Sequence, residues 1–164
     1  MSGDTITNPP TELLSEATAS DIPGIVSLVN RAFVVERFFK DEDRTNAESI
    51  TEYMRNGRFL LLRNNDELLA CAYIKITGER AYLGMLSVDP SRQKSGLGRR
   101  MISGAESYVR AAGCEVLDIW IVNLRTELPP LYRKLGFVET GTESADMIQN
   151  VTQPLHFITM SKKL

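Results

Sequence analysis

Ser87-Val88-Asp89-Pro90-Ser91-Arg92-Gln93-Lys94-Ser95-Gly96-Leu97-Gly98-Arg99-Arg100 is the stretch that decides the fold. A short apolar strand stops at Asp89-Pro90, passes through a basic loop with two glycines, and opens a helix. Gly96 and Gly98 carry no Cβ, so backbone there can approach a ligand closely. Successive N–H groups at a helix start then converge on an anion. Arg92, Lys94, Arg99 and Arg100 gather positive charge on a chain whose formal net charge is −2. The expected anion is a pyrophosphate.

Spacing separates the common pyrophosphate cradles. A Walker loop ends in Gly-Lys-Ser/Thr, whereas Gly98 is followed by Arg99-Arg100. A dinucleotide fingerprint places a third glycine three residues beyond Gly98, where Met101 stands. Asp118 lies about 20 residues on, at the distance of the ribose-binding acid, but inside the apolar run 116–122, which puts its side chain on a sheet face. An NAD-binding oxidoreductase is therefore a distant third reading.

The spacing Gln93-x-x-Gly96-x-Gly98 instead resembles the acyl-CoA loop of the GNAT (general N-acetyltransferase) superfamily. The resemblance extends over the upstream strand 83–88, the Asp89-Pro90 break, the following helix and the next strand. It ends in Leu131-Tyr132-Arg133-Lys134-Leu135-Gly136-Phe137, which is similar to the second diagnostic motif of that superfamily. Two motifs in order, about 35 residues apart with one helix and one strand between them, are far more specific than either alone.

The rest of the chain accommodates that reading. A length of 164 residues, with 43% hydrophobic and 24% charged, suits one globular domain, expected over 13–164 behind a flexible tail at 1–12. The slightly acidic balance argues against nucleic acid or anionic membrane as a partner. No apolar run approaches the ~18 residues of a membrane span, and the start of the chain lacks a charged head followed by an apolar block. A soluble cytoplasmic protein is expected, with homodimerisation left open. Cys71 and Cys114 sit in apolar surroundings and read as buried thiols. One histidine and no cysteine pair imply no metal site.

Periodicity orders the elements. An edge strand at 14–18 precedes a helix whose apolar face is Ile22, Ile25, Val26, Leu28, Val29, Ala32 and Phe33, with Asp21 as its expected cap and Pro23 in the first turn. A charged connector and a short helix at 47–55 follow. The runs 58–63 and 68–76 flank Asn64-Asn65-Asp66-Glu67 as a hairpin. Beyond the strand at 82–88 come a helix ending at Ala112-Gly113, a strand at 116–122, a helix at 128–135, and late strands at 136–141 and 155–160. The order is β-α-α-β-β-β-α-β-α-β-β, an α/β fold with a mixed sheet and helices on both faces.

The resemblance implies a mostly antiparallel central sheet with one splayed strand pair that admits acyl-CoA. It places pantetheine on the backbone of Leu86, Ser87 and Val88. The pyrophosphate falls on the amides of Gln93, Lys94, Ser95, Gly96, Leu97, Gly98 and Arg99, with Asn123 as a further cofactor contact. It implies acetyl transfer from acetyl-CoA to a primary amine by direct attack, with a small-molecule acceptor ahead of a protein amine and Tyr132 as general acid. A phenol with an ordinary pKa near ~10 is protonated at neutral pH and can give its proton to a departing thiolate. Tyr132 also has a packing reading, between Leu131 and Phe137.

The general base is open. Many family members carry glutamate near the start of the strand before the loop, where this chain reads Ala81-Tyr82-Leu83; Glu79 is the nearest carboxylate. Water-mediated proton loss, with Tyr82 or a residue of another strand ordering the water, stands equal to any named base. That gap keeps a catalytically silent acyl-CoA sensor as the alternative function. Arg125, where many members carry asparagine, reads equally as an anchor for an anionic acceptor and as a solvated loop arginine. Phe33, Phe38, Phe39 and Tyr53 are candidate acceptor walls or core. Asp41-Glu42-Asp43 reads as a solvated connector, and His156 as structural.

Overall fold

Residues 59–62, Phe-Leu-Leu-Leu, and 69–74 are unbroken apolar runs, the signature of strands covered on both faces. The computed structural model describes residues 13–164 and places them so; the tail expected at 1–12 lies outside the described residues. Strands β1 (Leu13–Glu16), β2 (Arg58–Asn64), β3 (Glu67–Thr77), β4 (Arg80–Val88), β5 (Val116–Val122), β6 (Val138–Ser144) and β7 (His156–Lys163) form one sheet in the order β1-β2-β3-β4-β5-β7-β6. Every neighbouring pair is antiparallel except β4 and β5. The expected mixed sheet, mostly antiparallel and flanked by helices on both faces, is what the chain forms.

Alternation along β2 sorts the core into two layers. Phe59 and Leu61 join Cys71, Tyr73 and Met85 beneath α1 (Ile22–Ala32), which contributes Ile25, Leu28 and Val29, and α2 (Ala47–Asn56), which contributes Ile50. Leu60 and Leu62 face the other way, with Ala70, Ala72, Leu83, Leu117 and Ile119, toward α3 (Leu97–Ala111) and α4 (Leu128–Lys134). Asn46 caps α2 by accepting the Ser49 N–H at 2.8 Å. Asp21 does not cap α1 as expected; its carboxylate accepts the Thr18 N–H at 2.8 Å and pairs with Arg63 of β2. An arginine brought up by the sheet outcompetes the local amides. Cys71 and Cys114 are buried free thiols.

One irregularity shapes the centre of the sheet. Along β3 and β4, Cys71 pairs with Ser87 but Tyr73 pairs with Gly84, so Met85 and Leu86 together oppose Ala72. This is a β-bulge, and Met85 takes φ +49, a left-handed conformation that L side chains rarely adopt. The Ser87 hydroxyl donates to the Met85 carbonyl at 3.0 Å and braces the bend. On its other edge β4 pairs with β5 only from Arg80↔Val116 to Leu83↔Ile119. Beyond Leu83 the two parallel strands part.

Candidate active site

The parted strands leave the β4 edge from Met85 to Val88 without a β5 partner, so its N–H and C=O groups can accept an amide-bearing ligand as a sheet would accept a strand. Leu86, Ser87 and Val88 lie on this edge, with the Ser87 side chain buried. At its end Asp89 turns the chain. Its carboxylate accepts the Ser91 N–H at 2.9 Å, the Ser91 hydroxyl at 2.7 Å and Arg31 of α1 at 3.1 Å. The Ser91 hydroxyl and N–H, joined by Arg31, hold the Asp89 carboxyl below the usual carboxylate range.

Asp89 thus aims the basic loop. Lys94 (φ +68) and Gly96 (φ +84) are both left-handed, and Gly96 is the N-terminal flank of α3. A Cβ added at Gly96 would meet nothing within 4 Å, so glycine is needed there for its dihedral angle, and the space outside it is open. An open cavity of about 330 Å³ sits at the loop, lined by Gln93, Lys94, Ser95 and the start of α3 at Leu97. The Leu97 side chain itself turns into the core. Lys94 and Arg99 are exposed and make no ion pair among the described residues, whereas Arg92 is held by Glu67 at 2.8 Å. The loop fits an anionic phosphate group in dihedral angle, open space and charge together.

Tyr132 occupies the buried face of α4. Its ring packs edge-on to Phe137 at 5.5 Å, and its hydroxyl has no hydrogen-bond partner among the described residues. Burial pushes its phenol up to about 12; Arg125 pulls it down and Tyr82 pushes it further up. Both sequence readings of Tyr132, packing against Phe137 and a proton held for donation, are compatible with this position.

Other expected site residues are committed elsewhere. Asn123 Oδ1 accepts the His156 N–H at 2.9 Å, which ties the end of β5 to β7. Arg125, 15% exposed, pairs with Glu36 at 2.7 Å and Glu127 at 3.3 Å, so it is not available to anchor an acceptor anion. Glu79 sits in the turn before β4, where its carbonyl accepts the Glu115 N–H. At ~3.3 Å per strand residue it is about 23 Å of strand from Leu86, too far to serve as base. Asp41 and Asp43 pair with Arg37, and Glu42 with Lys40, so the connector carboxylates are matched.

A second cavity, about 460 Å³, opens on the α1/α2 face of the sheet beside the split. Tyr53, Tyr73, Tyr82 and Trp120 wall it; Lys75 and Asp118 stand at one end. Of the aromatic residues expected as acceptor walls, only Tyr53 lines it. Phe39 is core, Phe38 is surface, and Phe33 lies under the Arg44 guanidinium. A Cβ on Gly84 would fall 2.8 Å from the Tyr82 hydroxyl oxygen, so glycine lets this ring lie along the strand toward the split. Sequence reasoning passed over Lys75, Tyr73 and Trp120 as wall residues. Their signal is a polar or large aromatic side chain at alternate positions of otherwise apolar strands.

The acetyltransferase (GNAT) family model matches residues 22–137, a span that contains both diagnostic segments. The chain belongs to the GNAT family. Mycothiol acetyltransferase of Saccharopolyspora erythraea is 29% identical over 133 residues, covering 77% of this chain and 43% of the relative. The GNAT chain therefore spans less than half the length of that curated relative. Among solved structures, the ribosomal-protein-S18-alanine N-acetyltransferase of Escherichia coli superposes with a TM-score of 0.76 at 19% identity, covering 93% of each chain. A GNAT family acetyltransferase of Elizabethkingia anophelis, solved with acetyl-CoA bound, superposes with a TM-score of 0.73 at 19% identity, covering 93% of this chain and 97% of the other. At these identities the likeness is one of fold.

Proposed function

We propose that this GNAT domain transfers the acetyl group of acetyl-CoA to a primary amine by direct attack, with a small molecule as acceptor ahead of a protein amine. The observation that carries the reading is the split between β4 and β5. It is open along Met85 to Val88 and is followed by the Gly96 loop at the start of α3. Acetyl-CoA supplies an acyl carbon activated by its thioester. The free β4 edge orients the pantetheine amides, and the amides from Gln93 to Arg99, with Lys94 and Arg99, hold the pyrophosphate. An unpaired backbone N–H near Leu86 donates to the negative charge that develops on the carbonyl oxygen. As the C–N bond forms and the C–S bond breaks, Tyr132 gives its proton to sulfur and the amine loses one to ordered water beside Tyr82.

The catalytically silent sensor remains the second reading, favoured by one observation: the β4 position facing the second cavity holds Tyr82 and not a carboxylate. Calorimetric titration with CoA, acetyl-CoA and NAD, followed by thiol release from acetyl-CoA across an amine panel, separates the two. Selective CoA binding with thiol release supports the enzyme. CoA binding without release from any amine supports the sensor, and no CoA binding refutes both.

A further inference from the structure

The second cavity carries charge and shape beyond what acetyl transfer alone requires. The Tyr53 and Tyr73 rings meet edge-on at 4.9 Å, and Tyr82 and Trp120 at 6.4 Å, so four aromatic rings wall the space. None of the Tyr53, Tyr73 and Tyr82 hydroxyls has a hydrogen-bond partner among the described residues.

The charged end is positive on balance. Asp118 is already matched: Arg80 donates to its two carboxylate oxygens at 2.9 and 2.6 Å, and the Ser161 hydroxyl donates as well. Lys75, across the strands from Tyr82, is exposed and makes no ion pair among the described residues. Arg44, near enough to Tyr82 to draw its phenol downward, adds a further positive charge from the α1–α2 segment. Among the described residues, Lys75 is the cation that both lines the cavity and makes no ion pair.

The two ends are separated along the strand. From the Lys75–Tyr82 pair to Leu86 is four residues of β4, about 13 Å at ~3.3 Å per residue. The lysine–carboxylate contact and the approach of the amine to the acyl carbon each take about 3 Å of that span, which leaves about one ring's length between them. We propose that the cavity takes an acceptor built as a flat ring with an amine at one end and a carboxylate at the other. The ring lies between the tyrosines and Trp120, the carboxylate sits on Lys75, and the amine reaches the open edge of β4. This rests on the reading of the chain as an N-acetyltransferase.

Trp120 is the chain's only tryptophan, so its emission reads occupancy of this cavity whether or not turnover occurs. Four probes vary ring and acid independently: 4-(aminomethyl)benzoate, benzylamine, 6-aminohexanoate and spermidine. The expected result is a Trp120 emission change with a Kd for 4-(aminomethyl)benzoate at least tenfold below the other three. Lys75→Ala is expected to raise that Kd to the benzylamine value while leaving benzylamine itself unmoved. Equal affinities for all four, a preference for spermidine, or a Lys75→Ala effect that is the same with and without the carboxylate overturns the proposal. Parallel thiol-release assays keep the two readings apart. Selective binding without acetylation of any amine refutes transfer and upholds the cavity's chemistry; acetylation without the Trp120 pattern does the reverse.

Discussion

Tyr132→Phe separates chemistry from packing because the structure gives the hydroxyl so little else to do. The ring, 7% exposed and edge-on to Phe137, is kept in phenylalanine, and the lost oxygen has no hydrogen-bond partner among the described residues. Deleting a polar group that has no partner leaves no orphan behind, so stability is expected to change by less than about 1 kcal/mol. A general acid contributes ~10²–10⁴ in rate, so turnover at saturating amine is expected to fall by that factor, equivalent to about 2.7–5.4 kcal/mol. Three measurements on one preparation decide: urea unfolding, calorimetric CoA affinity, and thiol release from acetyl-CoA. The signature is a large loss in the third with the first two within error of wild type. Undiminished turnover in Tyr132→Phe returns the residue to the core and removes the proton donor from the mechanism.

Gly96→Val is expected to cost about 1–2 kcal/mol, since φ +84 is left-handed. It should also weaken CoA by at least ~tenfold, or ~1.4 kcal/mol, because its side chain enters the open space where the phosphates approach; unchanged CoA affinity in a folded variant refutes the cradle. Asp89→Ala removes the side chain that accepts from Ser91 and Arg31, and should cost about 1 kcal/mol in urea unfolding with a parallel loss of CoA affinity. Equal CoA binding would mean the loop is held without it. Burial raises Tyr132 and Cys71 to about 12, and Tyr73 and Tyr82 upward, so the folded chain keeps protons that the unfolded chain releases from about pH 8.5 for the thiol and ~10 for the phenols. Their contribution is full below those values and lost as pH rises toward 12; a urea midpoint that is flat from pH 8 to 12 contradicts it.

The element order and the loop were legible because they depend on local chemistry: apolar alternation, the Asp89-Pro90 stop, and glycines at a helix start. Features set by distant partners were not. Asp21 reads as a cap until Arg63 reaches it from β2. Arg125 reads as free until Glu36, on the α1–α2 connector, closes on it at 2.7 Å. The bulge at Met85-Leu86 has no sequence signal at all, since methionine is not a residue that prefers φ +49; the pairing of Ala72 with two residues imposes it. The second cavity draws on α2, β3, β4 and β5, and no window of sequence contains its walls together.

The short β4–β5 seam has a consequence for how the molecule comes apart. Four residue pairs, Arg80↔Val116 to Leu83↔Ile119, join the sheet half made of β1 to β4 to the half made of β5 to β7. The left-handed Met85 acts as a stop that keeps the seam from zipping further. A ligand lying along the remaining edge, as proposed for pantetheine, would fasten the halves as a rivet fastens two plates. Hydrogen exchange should then show β5 and β7 opening together, ahead of β2 and β3, in the free protein. With CoA bound, both halves should exchange only through one shared, slower event.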